Sequence, residues 1–144
     1  MERKIKIGII GCGGIAKHMP SLASLPDVEM VAFCDLISER AKAAAEKYGT
    51  PDAKVFTDYK ELLKLDDIDV VHVLTPNREH ADISIDALRA GKDVMCEKPM
   101  AKSAADAQRM LEAAKETGKK LTIGYQHRHK PESIYAKQLI DDGR

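Results

Sequence analysis

Short apolar runs alternate along this chain with segments whose apolar residues recur at helical spacing. The runs fall at 5–10, 28–34, 53–56, 70–74, 93–96 and 121–125, each of a length that suits a strand. Between them, Ala41, Ala44, Ala45 and Tyr48 share one helical face, and Ala107, Met110, Leu111 and Ala114 share another. Helix stop and start signals fall where those patterns require them. Gly49, Gly91, Gly118 and Gly143 each follow a helical pattern, where a left-handed cap is expected. Asp58-x-x-Glu61 and Ser103-x-x-Asp106 precede helical patterns as capping boxes. Strands apolar on both faces, alternating with helices, predict an α/β domain: a doubly wound parallel sheet with helices on each side. The six predicted strands fit the order 3-2-1-4-5-6. No internal repeat, low-complexity tract or interdomain linker interrupts the pattern before residue 126.

Composition narrows the class. The chain has 144 residues, 44% of them hydrophobic, which suffices for one domain with a real core. Its 23 Lys and Arg balance 23 Asp and Glu, scattered and not in blocks, so no nucleic-acid partner is expected. Met1-Glu2-Arg3-Lys4 leads into an apolar run too short for a signal peptide, and no run reaches membrane-spanning length. Cys12, Cys34 and Cys96 lie in or beside apolar strand segments and read as small buried side chains in a reducing cytoplasm. No His or Cys pair has metal-ligand spacing, and no metal is expected. Ser21 and Ser24 lack the Gly-x-Ser-x-Gly context of a hydrolase.

The first strand runs directly into Gly11-Cys12-Gly13-Gly14-Ile15-Ala16, a Gly-x-Gly-x-x-Ala turn. Gly11 permits the tight turn, Gly13 keeps a Cβ away from a bound pyrophosphate, and Ala16 lets the next helix lie close on the strand. The phosphates are expected on unpaired N–H groups at that helix's positive end. Asp35 ends the second apolar run, near the roughly 20-residue spacing of a carboxylate that binds the adenosine ribose hydroxyls. It also suits an ordinary strand-end aspartate capping the next helix. Together the two features predict a dinucleotide-binding (Rossmann) domain. A carboxylate at Asp35 repels a 2′-phosphate, so NAD is preferred to NADP, although Arg40 is within reach of such a phosphate.

Ligands of an open parallel sheet bind beyond the carboxyl ends of its strands. That rim carries Thr75-Pro76-Asn77-Arg78-Glu79-His80 after strand four, Glu97-Lys98-Pro99 after strand five, and Gln126-His127-Arg128-His129 after strand six. Lys98, just past a buried strand, suits proton transfer to a hydroxyl or carbonyl beside a nicotinamide, though an ordinary exposed lysine has the same local sequence. These stretches, in this order, resemble the glucose–fructose oxidoreductase and inositol dehydrogenase family, often written Gfo/Idh/MocA. The resemblance rests on Ile7 to Ala16, Cys34-Asp35, Thr75-Pro76-Asn77 with His80, Glu97-Lys98-Pro99, and Gly124 to Pro131 with the helix ending at Gly143.

The resemblance implies hydride transfer between a nicotinamide cofactor and a sugar, polyol or related hydroxy compound. It implies that Lys98 contacts nicotinamide ribose and substrate and acts in catalysis. Thr75, Pro76, Asn77, His80 and Glu97 are expected to bind or shape the cofactor site, and Gln126 and Arg128 to approach cofactor or substrate. His127 and His129 have no assigned role, His72 is expected in the core, and His18 at the surface. Residues 1–125 are expected to form the cofactor domain. Residues 126–144 are expected to form a boundary helix leading to a substrate domain absent from this chain, so that the chain alone binds cofactor with little turnover. The whole protein is expected to be a homo-oligomer. Two other classes keep parts of the pattern. A non-catalytic NAD(H) sensor would need the glycine loop and Asp35 but not Lys98; an S-adenosylmethionine methyltransferase would need neither Ala16 nor Lys98.

Overall fold

The computed structural model describes residues 3–14 and 18–144. Ile15 and Ala16, predicted at the glycine turn, lie outside the described residues, as does the helix start expected to receive the phosphates. Six strands form one parallel sheet: β1 (Ile5–Ile10), β2 (Val28–Cys34), β3 (Lys54–Phe56), β4 (Val70–Val73), β5 (Asp93–Cys96) and β6 (Leu121–Ile123). Their order is β3-β2-β1-β4-β5-β6, as the alternating pattern predicts. The crossovers contain α1 (Met19–Ala23), α2 (Ser38–Tyr48), α3 (Tyr59–Leu63), α4 (His80–Arg89) and α5 (Ala104–Thr117), and α6 (Pro131–Asp141) follows β6.

Strand alternation divides the core into two layers. Ile7, Ile9, Met30 and Phe33 pack with Met19 of α1 and with Ala41 and Ala44 of α2. Ile10, Ala32, Val71, Val73, Val94 and Cys96 pack on the other side with Leu62 of α3, Leu88 of α4 and Met110 of α5. Both buried residues of α2 are alanines, so that helix lies close to the sheet and holds the end of β2 near β1. The two central strands are therefore largely buried on both faces, which is why they read as predominantly apolar runs.

The differences from expectation have local causes. β6 ends at Ile123 because the Tyr125 N–H turns back to the Ile123 carbonyl, 2.7 Å away, and a 3₁₀ turn follows at Gln126–His129. Ala53 stays out of β3, its N–H donating to Thr50 O at 3.0 Å within the preceding turn. Gly91, Gly118 and Gly143 have positive φ, but Gly49 does not. Gly49 is extended, with φ −80° and ψ 166°. It is needed for space instead: a Cβ there would lie 2.7 Å from Ala45 O and Ala53 Cβ and 2.9 Å from Phe33.

The two capping boxes are incomplete. Asp58 accepts from Lys60 N–H at 2.9 Å, while Glu61 turns to Lys64. Ser103 Oγ accepts from Asp106 N–H at 3.1 Å and donates to its carboxylate at 2.7 Å.

Candidate functional site

The carboxyl ends of β1, β2 and β4 enclose a cleft of about 500 Å³, a size that suits a small-molecule ligand. Gly11, Gly13, Gly14, Asp35, Thr75 and Pro76 all line it. Gly11, at φ 95°, nests against the β4 loop so closely that a Cβ would lie 2.7 Å from the Leu74 carbonyl. No other residue type fits there without moving backbone. Above Gly14 a Cβ would meet nothing within 4 Å, and above Gly13 only Arg40, at 3.7 Å. That space is a cradle open to a ligand's backbone-facing atoms.

Asp35 lines the cleft and is tied to the main chain on both sides. One carboxylate oxygen accepts the Cys12 N–H at 2.8 Å, and the other accepts the Ile37 N–H at 2.9 Å, ahead of α2. Its orientation is thus fixed while it lines the cleft, with lone pairs left for a ribose hydroxyl. Cys12 contributes that backbone N–H, and its thiol faces Cys34 O. Burial pushes the Cys12 thiol up to about 12, helped by the charge of Asp35, so it is no nucleophile.

The second half of the rim lies beside the cleft and is held by side chains. Lys98 is exposed, its backbone N–H donating to Glu97 Oε2 at 3.0 Å, and the Lys98–Pro99 peptide is cis. Glu97 itself is buried, only 4% exposed, and its Oε1 receives His18 Nε2 at 2.7 Å. His80 is fully buried, with Nδ1 2.8 Å from Pro99 O and Nε2 2.9 Å from Thr75 O. Behind the rim, it joins the β4 and β5 loops instead of facing a ligand. Asn77, Gln126 and Arg128 are exposed around the same edge and line no part of the cleft.

Leu36, Ile37 and the role of His18 escaped the sequence reading. Leu36 (90% exposed) and Ile37 (44%) offer bare apolar surface at the cleft, where a flat ring can cover them. Their place directly after Asp35 was the available signal. Thr75 Oγ1 is buried without a hydrogen-bond partner. His18, expected at the surface, is instead the partner of Glu97, and no sequence signal links residues so far apart. His72 is in the core as expected, 2% exposed, but both ring nitrogens lack partners. Burial pushes its pKa down to about 4, the nearby His18 adding to the shift and Glu97 opposing it. The open cradle, the exposed apolar pair, the fixed Asp35 and the orphaned Thr75 hydroxyl together fit a dinucleotide lying across the strand ends. Among the described residues, no cluster of three or more His, Cys, Asp and Glu is placed to hold a metal ion, and no helix is long and apolar enough to cross a membrane.

Comparison with known proteins gives the same picture. A family model described as "Oxidoreductase family, NAD-binding Rossmann fold" matches residues 5–125. Inositol 2-dehydrogenase of Salmonella typhimurium is 42% identical over 142 residues, covering 96% of this chain and 42% of that protein. D-glucoside 3-dehydrogenase of Escherichia coli is 36% identical over 141 residues, covering 96% of this chain and 40% of its own length. A crystallised 3-ketoreductase from Actinomadura kijaniata, in complex with TDP-benzene and NADP, superposes with a TM-score of 0.87 at 33% identity, over 98% of this chain and 43% of that one. The chain therefore spans about two fifths of the length of these relatives.

Proposed function

The chain belongs to the Gfo/Idh/MocA oxidoreductase family and matches its NAD-binding Rossmann domain, and from that membership we propose that it is the cofactor half of an enzyme acting on a sugar, polyol or related hydroxy compound. The carrying observation is the exposed Lys98, set on a turn whose flanks are fixed by Glu97 and His80 at the edge of the dinucleotide cleft. A bound nicotinamide supplies the hydride acceptor or donor. Lys98 Nζ holds or gives the proton of the reacting hydroxyl, and Gln126 and Arg128 orient the substrate. Asn77 and the Thr75-Pro76 turn border the cofactor, and Asp35 accepts from its adenosine ribose. A non-catalytic sensor has no use for Lys98.

NAD is the preferred cofactor on this reading. Asp35 is pinned in the cleft by two backbone N–H groups and cannot turn away from a 2′-phosphate. Arg40, at the edge of Gly13, is the opposing influence. Residues 126–144 act as a boundary to a substrate domain: the family match ends at 125, and no residue of α6 is buried. Ile134, Tyr135 and Ile140 are 47%, 60% and 70% exposed on that helix. The enzyme is cytoplasmic, a setting in which the thiols of Cys12, Cys34 and Cys96 stay reduced, and it works as a homo-oligomer.

Calorimetric titration of the chain with NADH, NADPH and S-adenosylmethionine tests the proposal. NADH is expected to bind most tightly, S-adenosylmethionine not at all, and turnover of added polyols to be negligible. Folded protein that binds neither dinucleotide overturns the function. Equal or tighter NADPH binding overturns the cofactor preference alone.

A further inference from the structure

We propose that His18 is a positioning residue for Lys98, acting through the buried carboxylate of Glu97; the inference rests on the dehydrogenase reading above. The geometry forms a relay of contacts. His18 Nε2 lies 2.7 Å from Glu97 Oε1, and a carboxylate only accepts, so Nε2 carries the proton. Glu97 Oε2 in turn accepts the Lys98 N–H at 3.0 Å. Glu97 therefore has one oxygen for each neighbour, and it fixes the turn from which the lysine side chain projects.

The carboxylate has little room to re-pair. It is 4% exposed, and a Cβ on Gly124 would lie only 3.1 Å from its Oε1. Titratable His72 is close by, its ring centroid 5.8 Å from that of His18, but its own nitrogens are unpartnered and it makes no bond to Glu97. Removing His18 leaves a buried carboxylate with a single donor, an under-satisfied state that is costly for such a group. The carboxylate then reorients toward another donor, and that change releases the Lys98 N–H from its fixed direction. Downstream, His80 still holds Pro99 O, so the expected consequence is a loosened turn in a folded protein. His18 lies outside the residues that line the adenosine cleft. Its loss is therefore felt where Lys98 reaches and not where Asp35 binds.

The test compares NADH with ADP-ribose, which lacks the nicotinamide, on the 144-residue chain by calorimetry, with circular dichroism as the check on folding. His18→Ala is expected to weaken NADH about five- to tenfold, the scale of one ordinary hydrogen bond, and to change ADP-ribose affinity less than twofold. His18→Gln, whose amide can donate to Glu97, is expected to restore NADH binding. In a Lys98→Ala background, His18→Ala is expected to cost nothing further. Should His18→Ala fail to fold, Glu97→Gln carries the test and is expected to show the same selective loss of NADH. Equal weakening of both ligands, no weakening of either, or a full effect persisting without Lys98 overturns the positioning role. Wild-type protein that binds neither ligand removes the dehydrogenase reading itself, and with it this inference. Wild-type binding with unselective variants removes only the inference.

Discussion

His72 is a histidine in the middle of a parallel sheet, between Ile9 of β1 and Met95 of β5, and it makes the folded state sensitive to acid. Its pKa falls from 6.5 to about 4, first because burial penalises the imidazolium, then because His18 is near; Glu97 works the other way. The unfolded chain therefore takes up the proton first as the pH drops. The stability that rests on a neutral His72 is whole above pH 6.5, declines through the interval below, and is lost by about pH 4. A gap of that size corresponds to about 3 kcal/mol, a large share of a typical domain's stability.

His72→Leu removes both unpartnered nitrogens while roughly keeping the volume, so it is expected to stabilise the protein at neutral pH by about 1–3 kcal/mol. It is also expected to abolish this part of the acid sensitivity. The chain has no Trp, so urea unfolding is followed by far-ultraviolet circular dichroism at several pH values between 7.5 and 4. Most carboxylate titration is common to both proteins and cancels in the difference between them. That difference is expected to widen by about 3 kcal/mol as the pH falls across the window. Parallel curves refute the account of His72 as a buried base held neutral by the fold.

Gly49→Ala and Gly118→Ala are both expected to destabilise, by about 1–3 and about 1 kcal/mol, for different reasons. Gly118→Asn is expected to recover much of the loss, because Asn tolerates the left-handed cap, whereas Gly49→Asn is expected to be worse than Ala in the filled space beside Phe33. Urea midpoints of the four variants separate the two causes. Ser103→Ala removes the N-cap of α5 and is expected to cost about 1 kcal/mol by the same assay. Burial pushes the thiols of Cys12 and Cys34 up to about 12 and that of Cys96 to about 11. Alkylation by iodoacetamide at pH 8 is therefore expected to be slow until urea is added, and rapid labelling of folded protein contradicts that burial.

The sheet was legible because its strands read as apolar runs set apart by turn signals, with helical faces at 41–48 and 107–114 between them. Strand ends were less so. Tyr125 looks apolar enough to extend β6, yet its N–H bonds back to Ile123, and no composition signal marks that turn. Gly49 shows the opposite difficulty. Its position after α2 suggests a left-handed cap, but what requires glycine is Phe33, Ala45 and Ala53 crowding the same point, a tertiary fact. Within the site, Gly11, Gly13, Gly14 and Asp35 could be found because backbone geometry imposes their spacing. His18 could not, since its meaning depends on a carboxylate 79 residues away.

The two halves of the rim are built by different means, and this explains why one was easier to find. The dinucleotide cleft is made largely by main chain: Gly11 N–H to Cys34 O, Leu74 N–H to Ile10 O, and Cys12 N–H to Asp35. Its recognition groups need only the right residue at the right step past a strand. A lysine side chain is the reverse case, four flexible carbons long and exposed, and it gains a defined position only through what fixes its root. Here the root is fixed from three directions. Glu97 N–H donates to Val73 O of β4 at 2.9 Å, His18 holds the Glu97 carboxylate, and His80 holds the Pro99 carbonyl. Those anchors belong to β4, the approach to α1, and α4, so the reach of Lys98 depends on the packing of all three. Val94, buried on the face away from His72, is tied to that root through the β4–β5 ladder, whereas Val73 also pairs with Ile10 and so borders the glycine cradle as well.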